Sequence, residues 1–285
     1  MNGVTKLSGA INIDPKEFTQ TIFKAFSGNG IIDSSGIDFI SKRGDKKLII
    51  VAAAPRTGST YLTNVLVKST GFPFARLCSA YSTNEHDLYL PALYFMNKVG
   101  CVSQLHMKGT YHNAALMRTF GITPIILVRN IFDIVASLLG ELRLNEKQSA
   151  FGTGVNGFSF IWQDEDIKNC SDERLLDVIV DLAIPWYVNF YVSWFRLCEQ
   201  GAVNAKWVSY EDMMADKQRT VNDIIEFLGV NIVASNIDEI LDYRGITFNI
   251  GSSGRGKQML SATQKERIKH LFSYYPNVDF KYYGL

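Results

Sequence analysis

The chain alternates between short, continuously apolar runs and longer segments in which apolar positions recur every three or four residues. Four runs have the length and the β-branched content of buried strands: 47–53, 102–107, 124–128 and 205–209. Five segments have helical periodicity: 58–70, 114–120, 131–142, 175–199 and 219–228. Strands that alternate with helices predict an α/β fold, in which helices flank a parallel β-sheet.

Two further segments do not follow this alternation. Residues 1–45 are mixed, but Asp14-Pro15 begins a helical pattern, so we expect an N-terminal helical extension. Residues 141–172 carry three glycines and many polar side chains, which predicts a mobile loop over the active site. We interpret residues 1–285 as a single domain, since this length can bury one substantial core.

Composition limits the environment and the partners. The chain is 47% hydrophobic and 20% charged, as in soluble globular proteins, and its net charge of +1 gives no global field toward nucleic acid or acidic lipid. We therefore expect no nucleic-acid or membrane partner. Four cysteines without C-x-x-C spacing indicate reduced thiols, and no apolar run approaches the roughly 20 residues of a membrane span. Together with a polar N-terminus, these features predict a cytoplasmic protein.

The most informative segment follows the first predicted strand. Residues 53–60 nearly match the P-loop pattern G-x-x-x-x-G-K-[ST], but Ala53 replaces the first glycine and Ser59 replaces the lysine. Backbone N–H groups and a helix N-terminus can still hold a phosphate here. The missing lysine is the residue that reaches the β- and γ-phosphates, so the loop favours a donor other than ATP or GTP.

Two other segments could bind anions. Arg129 ends the third predicted strand and Ser137 lies two turns along the next helix, where they could hold a second phosphate. Residues 251–257 combine three glycines with Arg255 and Lys257, which indicates a flexible basic loop whose backbone can close on an anion. From the residues alone, a surface Arg–Asp pair and a solvated loop remain alternatives.

In this order, these segments resemble the sulfotransferases that use 3′-phosphoadenosine 5′-phosphosulfate (PAPS). The stretch 207–229 is also similar to a structural Y-E-D-M…F-L-G segment of that family. The resemblance implies the sulfotransferase fold, PAPS as co-substrate and adenosine 3′,5′-bisphosphate as product. It also implies a donor site made by the loop Arg56, Thr57, Gly58, Ser59, Thr60 and Tyr61, and by Arg129, Ser137, Tyr187, Arg255, Gly256 and Lys257.

The family's general base is a histidine after the second strand, and His106 matches it. Gln104 stands where the family has a lysine that stabilises the bridging oxygen. Arg56 is one candidate to replace that charge. Lys108 is the other, because on a strand it would point to the same face as His106. The other three histidines are interpreted as structural, and no metal is expected because no carboxylate motif completes a site.

These observations predict sulfuryl transfer from PAPS to a hydroxyl or amine of a small-molecule acceptor, such as a natural product or an alkaloid toxin. Aromatic and acidic residues in 77–94 and 141–166 suit a polar or cationic acceptor better than an acidic polysaccharide. Two alternatives stay open: a P-loop kinase acting on a small molecule, and a catalytically inactive relative that only binds nucleotide.

Overall fold

A four-stranded parallel sheet forms the centre of the fold in the computed structural model, which describes residues 46–79, 85–148, 170–242 and 254–285. The strands are β1 (Leu48–Ala53), β2 (Cys101–Leu105), β3 (Ile125–Val128) and β4 (Lys206–Ser209), in the order β2-β1-β3-β4. Since all pairs are parallel, the carboxyl ends of the four strands lie at one edge. The predicted α/β class is confirmed.

Helices follow and separate the strands. They are α1 (Ser59–Thr70), α2 (Leu90–Met96), α3 (Tyr111–Thr119), α4 (Ile131–Gln148), α5 (Asp172–Val178), α6 (Ile184–Glu199), α7 (Tyr210–Ala215), α8 (Lys217–Leu228), α9 (Ile237–Leu241), α10 (Arg255–Met259) and α11 (Ala262–Ser273). A 3₁₀ turn, Lys281–Tyr283, follows α11. One face of the sheet packs on α1, α8 and α9, where apolar side chains from β1, β3 and β4 meet those of the helices in a buried cluster.

Two boundaries differ from the sequence-based expectation. The helix α4 continues to Gln148, so residues 141–148 are helical and not part of a loop, because the run from Glu141 to Gln148 contains strong helix formers and no proline. The predicted helix 175–199 is interrupted by a π-helical turn at Ile179–Ala183, directly before Pro185, which lacks the N–H of a regular helix. The predicted extension 1–45 and loop residues 149–169 lie outside the described residues.

The helical stretch Asp172–Glu199 is the core helix of the fold. Within the described residues it is long and apolar enough to cross a membrane, but 67% of its most apolar window is buried inside the fold. Its buried aromatic residues include Trp186, Tyr187 and Trp194. This burial is compatible with a soluble protein, in which the helix packs against other parts of the same chain.

Candidate functional site

The loop between β1 and α1 has a backbone that only a few residues can adopt. Arg56 has φ 66° and Gly58 has φ 87°, both in the left-handed region. A Cβ atom at Gly58 would lie 2.8 Å from the Tyr210 ring, so the close approach also requires glycine. The Thr57 hydroxyl donates to the Ala54 carbonyl at 2.7 Å and closes the loop. With no side-chain cap on α1 in the described residues, the N–H groups of its first turn can bind an anion.

Arg56 connects the loop to α4. Its Nε donates to Ser137 Oγ at 3.0 Å, and its guanidinium forms an ion pair with Glu141 one turn further along the helix. The Arg56 carbonyl in turn accepts a hydrogen bond of 3.2 Å from Arg129 Nη1. The structure therefore brings together Arg56, Ser137 and Arg129, which the sequence assigned to two separate phosphate sites. Glu141, which the sequence assigned to the loop, is the acidic partner of Arg56.

Two arginines of this region carry buried nitrogen atoms without hydrogen-bond partners among the described residues. They are Arg129 Nε and Arg255 Nε. Arg129 is 7% exposed and its guanidinium lies 4.3 Å from the centre of the Tyr210 ring; burial lowers its pKa. Buried polar atoms in proteins are nearly always paired, so these two nitrogens fit an anion that accepts from them.

The basic segment near Arg255 is attached to the first turn of α4. The carboxylate of Asp133, which is 3% exposed, accepts hydrogen bonds from Gly254 N at 2.8 Å and Gly256 N at 3.0 Å. The backbone thus closes on an anion, as the sequence predicted, but this anion is a side chain of the protein. The expected flexible loop is wrong for residues 255–257, which form the start of α10. The sequence left open a surface Arg–Asp pair at the start of this helix, but Asp133 is buried.

His106 follows the last residue of β2. Its Nδ1 lies 2.7 Å from the Ala53 carbonyl, which can only accept, so the proton is on Nδ1 and the lone pair is on Nε2. Burial lowers the pKa of His106 to about 4, so the imidazole is neutral at physiological pH. This tautomer and this charge state are those of a general base.

His86 holds the backbone of His106 in place. His86 Nδ1 accepts from His106 N at 2.8 Å, His86 N donates to His106 O at 3.1 Å, and the two rings stack at 5.5 Å. The sequence assigned His86 a structural role without locating it. No sequence signal links the two residues, because they lie 20 positions apart and His86 is outside a regular element.

Lys108 lies beyond the end of β2, so the argument that strand alternation places it on the face of His106 is wrong. Its Nζ forms an ion pair of 3.3 Å with Glu85 and lies 5.7 Å from the Trp186 ring. Trp186 Nε1 donates to the same carboxylate at 2.6 Å. Lys108 therefore belongs to a cluster with Glu85 and Trp186.

The helix α6 supports both the loop and the segment after β2. The Tyr187 hydroxyl, fully buried, donates to Pro55 O at 3.1 Å, and Trp194 Nε1 donates to Met107 O at 3.0 Å. Burial raises the pKa of Tyr187 well above its usual range. In this structure the Tyr187 hydroxyl donates to the loop backbone, and its predicted contact with a phosphate stays a prediction.

The remaining predicted donor residues differ in their exposure and in their partners. Tyr61 donates its hydroxyl proton to Leu241 O at 2.8 Å, and Lys217 Nζ lies 5.5 Å from its ring. Thr60 and Lys257 are exposed, whereas Ser59 is buried in the first turn of α1. Among the described residues, no group of three or more His, Cys, Asp or Glu side chains could hold a metal ion.

Comparison with known proteins identifies the family of this chain. The family model described as the sulfotransferase domain matches residues 46–266. A solved structure of mouse sulfotransferase SULT7A1, complexed with PAP, is similar with a TM-score of 0.57 and 14% identity, over 90% of this chain and 96% of that one. No curated protein sequence matches. At this identity the structural likeness shows the fold, but the family model covers most of the chain, and the chain therefore belongs to the sulfotransferase family.

Proposed function

We propose that this sulfotransferase moves the sulfuryl group of PAPS to a hydroxyl or amine of a small-molecule acceptor. The observation that carries the donor assignment is the pair of buried nitrogens on Arg129 and Arg255 that have no hydrogen-bond partner among the described residues. They flank the first turn of α4, beside a loop that already offers one anion site. Two adjacent anion sites suit a nucleotide with phosphates at both the 5′ and the 3′ positions, which distinguishes PAPS from ATP.

The loop would hold the 5′-phosphosulfate. Backbone N–H groups from Arg56 to Thr60 face the anion, as at other helix N-termini, and the hydroxyls of Ser59 and Thr60 add donors. Because Thr57 and Tyr187 use their hydroxyl protons on the loop backbone, their role is to keep the loop in shape. Tyr61 would lie against the adenine, and Arg129 and Arg255 would bind the 3′-phosphate, whereas the ammonium group of Lys257 lies over the Phe132 ring, 5.9 Å from its centre.

His106 and Arg56 would act in the transfer step. The acceptor oxygen or nitrogen forms a bond to sulfur while the bond from sulfur to the 5′-phosphate oxygen breaks. The acceptor proton passes to His106 Nε2, the nitrogen that carries the lone pair. Arg56 stabilises the charge that develops on the leaving phosphate, and adenosine 3′,5′-bisphosphate departs. A role for Lys108 at the bridging oxygen requires it to leave Glu85.

The acceptor would be small and polar or cationic, as in a natural product or an alkaloid toxin. Glu85 and Glu141 place carboxylates near Lys108 and Arg56, on the segments that the sequence assigned to the acceptor pocket. Such carboxylates would repel an acidic polysaccharide. The proposed cytoplasmic location rests on the sequence, in which four cysteines without C-x-x-C spacing indicate reduced thiols.

The test is transfer of labelled sulfate from PAPS to a panel of phenols, alcohols, amines and guanidino compounds. His106→Ala should abolish transfer without weakening nucleotide binding, and undiminished transfer would remove His106 from the role. Thermal shifts complete the test, since the bisphosphate should stabilise the fold more than ATP with Mg²⁺. The opposite order would favour the kinase. Bisphosphate binding without transfer to any acceptor would identify an inactive relative. This alternative stays open because Gln104 stands where the family has a lysine.

A further inference from the structure

A cavity lies beside α10, the helix that begins at Arg255. It has a volume of about 520 Å³, within the range of roughly 300–1,000 Å³ that is typical of small-molecule sites. Its apolar lining comes from the side chains of Phe132 and Phe272 and from Leu285. Lys257, Lys265 and Lys269 complete the lining, so the cavity combines an apolar surface with three ammonium groups.

The lysines and the apolar surface are brought together by helical spacing. Lys265, Lys269 and Phe272 follow each other by four and three residues on α11, which places them on one face. Lys257 Nζ, from α10, lies 5.9 Å from the centre of the Phe132 ring. Like charges four residues apart repel each other, so this arrangement carries an electrostatic cost that an anion would remove.

The described residues that line the cavity include no aspartate or glutamate side chain. Glu266 pairs with Lys269 at 2.7 Å, but the two side chains are 70% and 54% exposed, and such exposed pairs contribute little. Because the chain as a whole carries only +1, the positive charge is a local property of this cavity.

Close packing and hydrogen bonds fix the backbone around the cavity. Gly284 lies directly against the Asn130 side chain, where a Cβ atom would overlap the amide, and the Tyr283 hydroxyl donates to Tyr187 O at 3.0 Å. On the other side, Lys257 follows Gly256, whose N–H is bound to Asp133. A ligand would therefore meet a preformed surface.

We propose that this cavity binds an amphipathic anion, namely an apolar ring or chain with one sulfonate, sulfate or carboxylate group. The apolar part packs on Phe132, Phe272 and Leu285, while the anionic group lies between the ammonium groups of Lys257, Lys265 and Lys269. The site is separate from the nucleotide site, which uses Arg255 and the loop after β1. It does not depend on the proposed activity.

The test uses two fluorescent probes with the same rings. 8-Anilinonaphthalene-1-sulfonate carries the anionic group, and N-phenyl-1-naphthylamine lacks it. With saturating adenosine 3′,5′-bisphosphate present to fill the nucleotide site, one sulfonate probe should bind per chain, at least tenfold more tightly than the neutral probe. Lys265→Gln combined with Lys269→Gln should weaken the sulfonate probe at least tenfold and leave the neutral probe unchanged.

The matched control is Lys68→Gln combined with Lys98→Gln, which changes net charge equally at lysines outside the cavity lining and should leave both affinities unchanged. A second variant, Leu285→Asp, adds a carboxylate to the lining and should weaken the sulfonate probe without removing a lysine. Equal affinity for the two probes, displacement by the bisphosphate, or equal effects of both lysine pairs would overturn the proposal. A thermal midpoint near that of the parent protein verifies that each variant is folded.

Discussion

Gly256→Ala should separate 3′-phosphate recognition from the rest of nucleotide binding. A Cβ atom at this position would overlap the Phe132 carbonyl and lie 2.7 Å from Asp133 N, and all of these are backbone atoms that cannot rotate away. The first turn of α10 must therefore move away from α4. The substitution changes no charge, so any effect on an anionic ligand follows from position alone.

The magnitude follows from the bonds that hold Gly256. Moving α10 weakens the hydrogen bonds from Gly254 N and Gly256 N to the Asp133 carboxylate. Hydrogen bonds to a charged group contribute about 1.5–3 kcal/mol each, so we expect the variant to lose about 2–4 kcal/mol of stability. If Arg255 no longer reaches the 3′-phosphate, one charge-assisted contact is lost, which corresponds to about 10- to 100-fold weaker binding.

Calorimetric titration with two nucleotides measures this effect. Affinity for adenosine 3′,5′-bisphosphate should fall by that factor, whereas affinity for adenosine 5′-phosphate, which lacks the 3′ group, should change less than threefold. Gly121→Ala is the control for an added methyl group without a clash: unlike Gly256, Gly121 has a positive φ of 61°, and no atom of the described residues lies within 4 Å of the added Cβ, so its cost comes from backbone strain alone. Equal losses for both nucleotides, or no loss, would refute the assignment of α10 to the 3′-phosphate.

Four further predictions concern the loop and the base. If His106 acts with a pKa of about 4, lowered by burial, kcat/KM should stay level as pH falls through 6.5 and decline only near pH 4; an acid limb at 6.5 would contradict this. Between pH 6.5 and 4, His106 binds a proton in the unfolded state but not in the folded state. The free energy of unfolding should therefore also decrease, by up to about 3 kcal/mol, as the pH falls from 6.5 to 4. Urea unfolding of the parent protein, compared with His106→Gln, measures this decrease. Tyr187→Phe leaves Pro55 O without its partner, so it should cost about 1–3 kcal/mol and weaken both nucleotides equally; selective loss of the 3′,5′-bisphosphate would instead place the hydroxyl at the 3′-phosphate. Glu141→Gln frees Arg56 from its ion pair and should tighten bisphosphate binding about fivefold, with Glu199→Gln as a surface control; unchanged affinity would show that Glu141 does not compete with the nucleotide.

The strands and helices could be predicted from the sequence because each depends on a local pattern. The β-branched runs before Arg56 and Arg129 are buried on both faces, and buried parallel strands need continuous apolar sequence. The glycine at position 58 and the lysine missing from the loop are also local features, and they indicated the donor class. The end of α4 was misplaced because the polar residues after position 142 were taken together with the glycines further on as a loop, although the residues up to Gln148 favour a helix.

The sequence by itself determined the parallel α/β architecture and the loop between β1 and α1, since these depend on periodicity and on spacing within single segments. The family was indicated by the resemblance of several segments in the same order along the chain. Only the tertiary structure decided which side chains serve as partners. Glu141 binds Arg56, His86 holds His106, and Asp133 fixes Gly256, across 85, 20 and 123 positions respectively. Hydrogen bonds and ion pairs form wherever folding brings a donor to an acceptor, and the distance along the chain places no constraint on such pairs. No local pattern can therefore specify them.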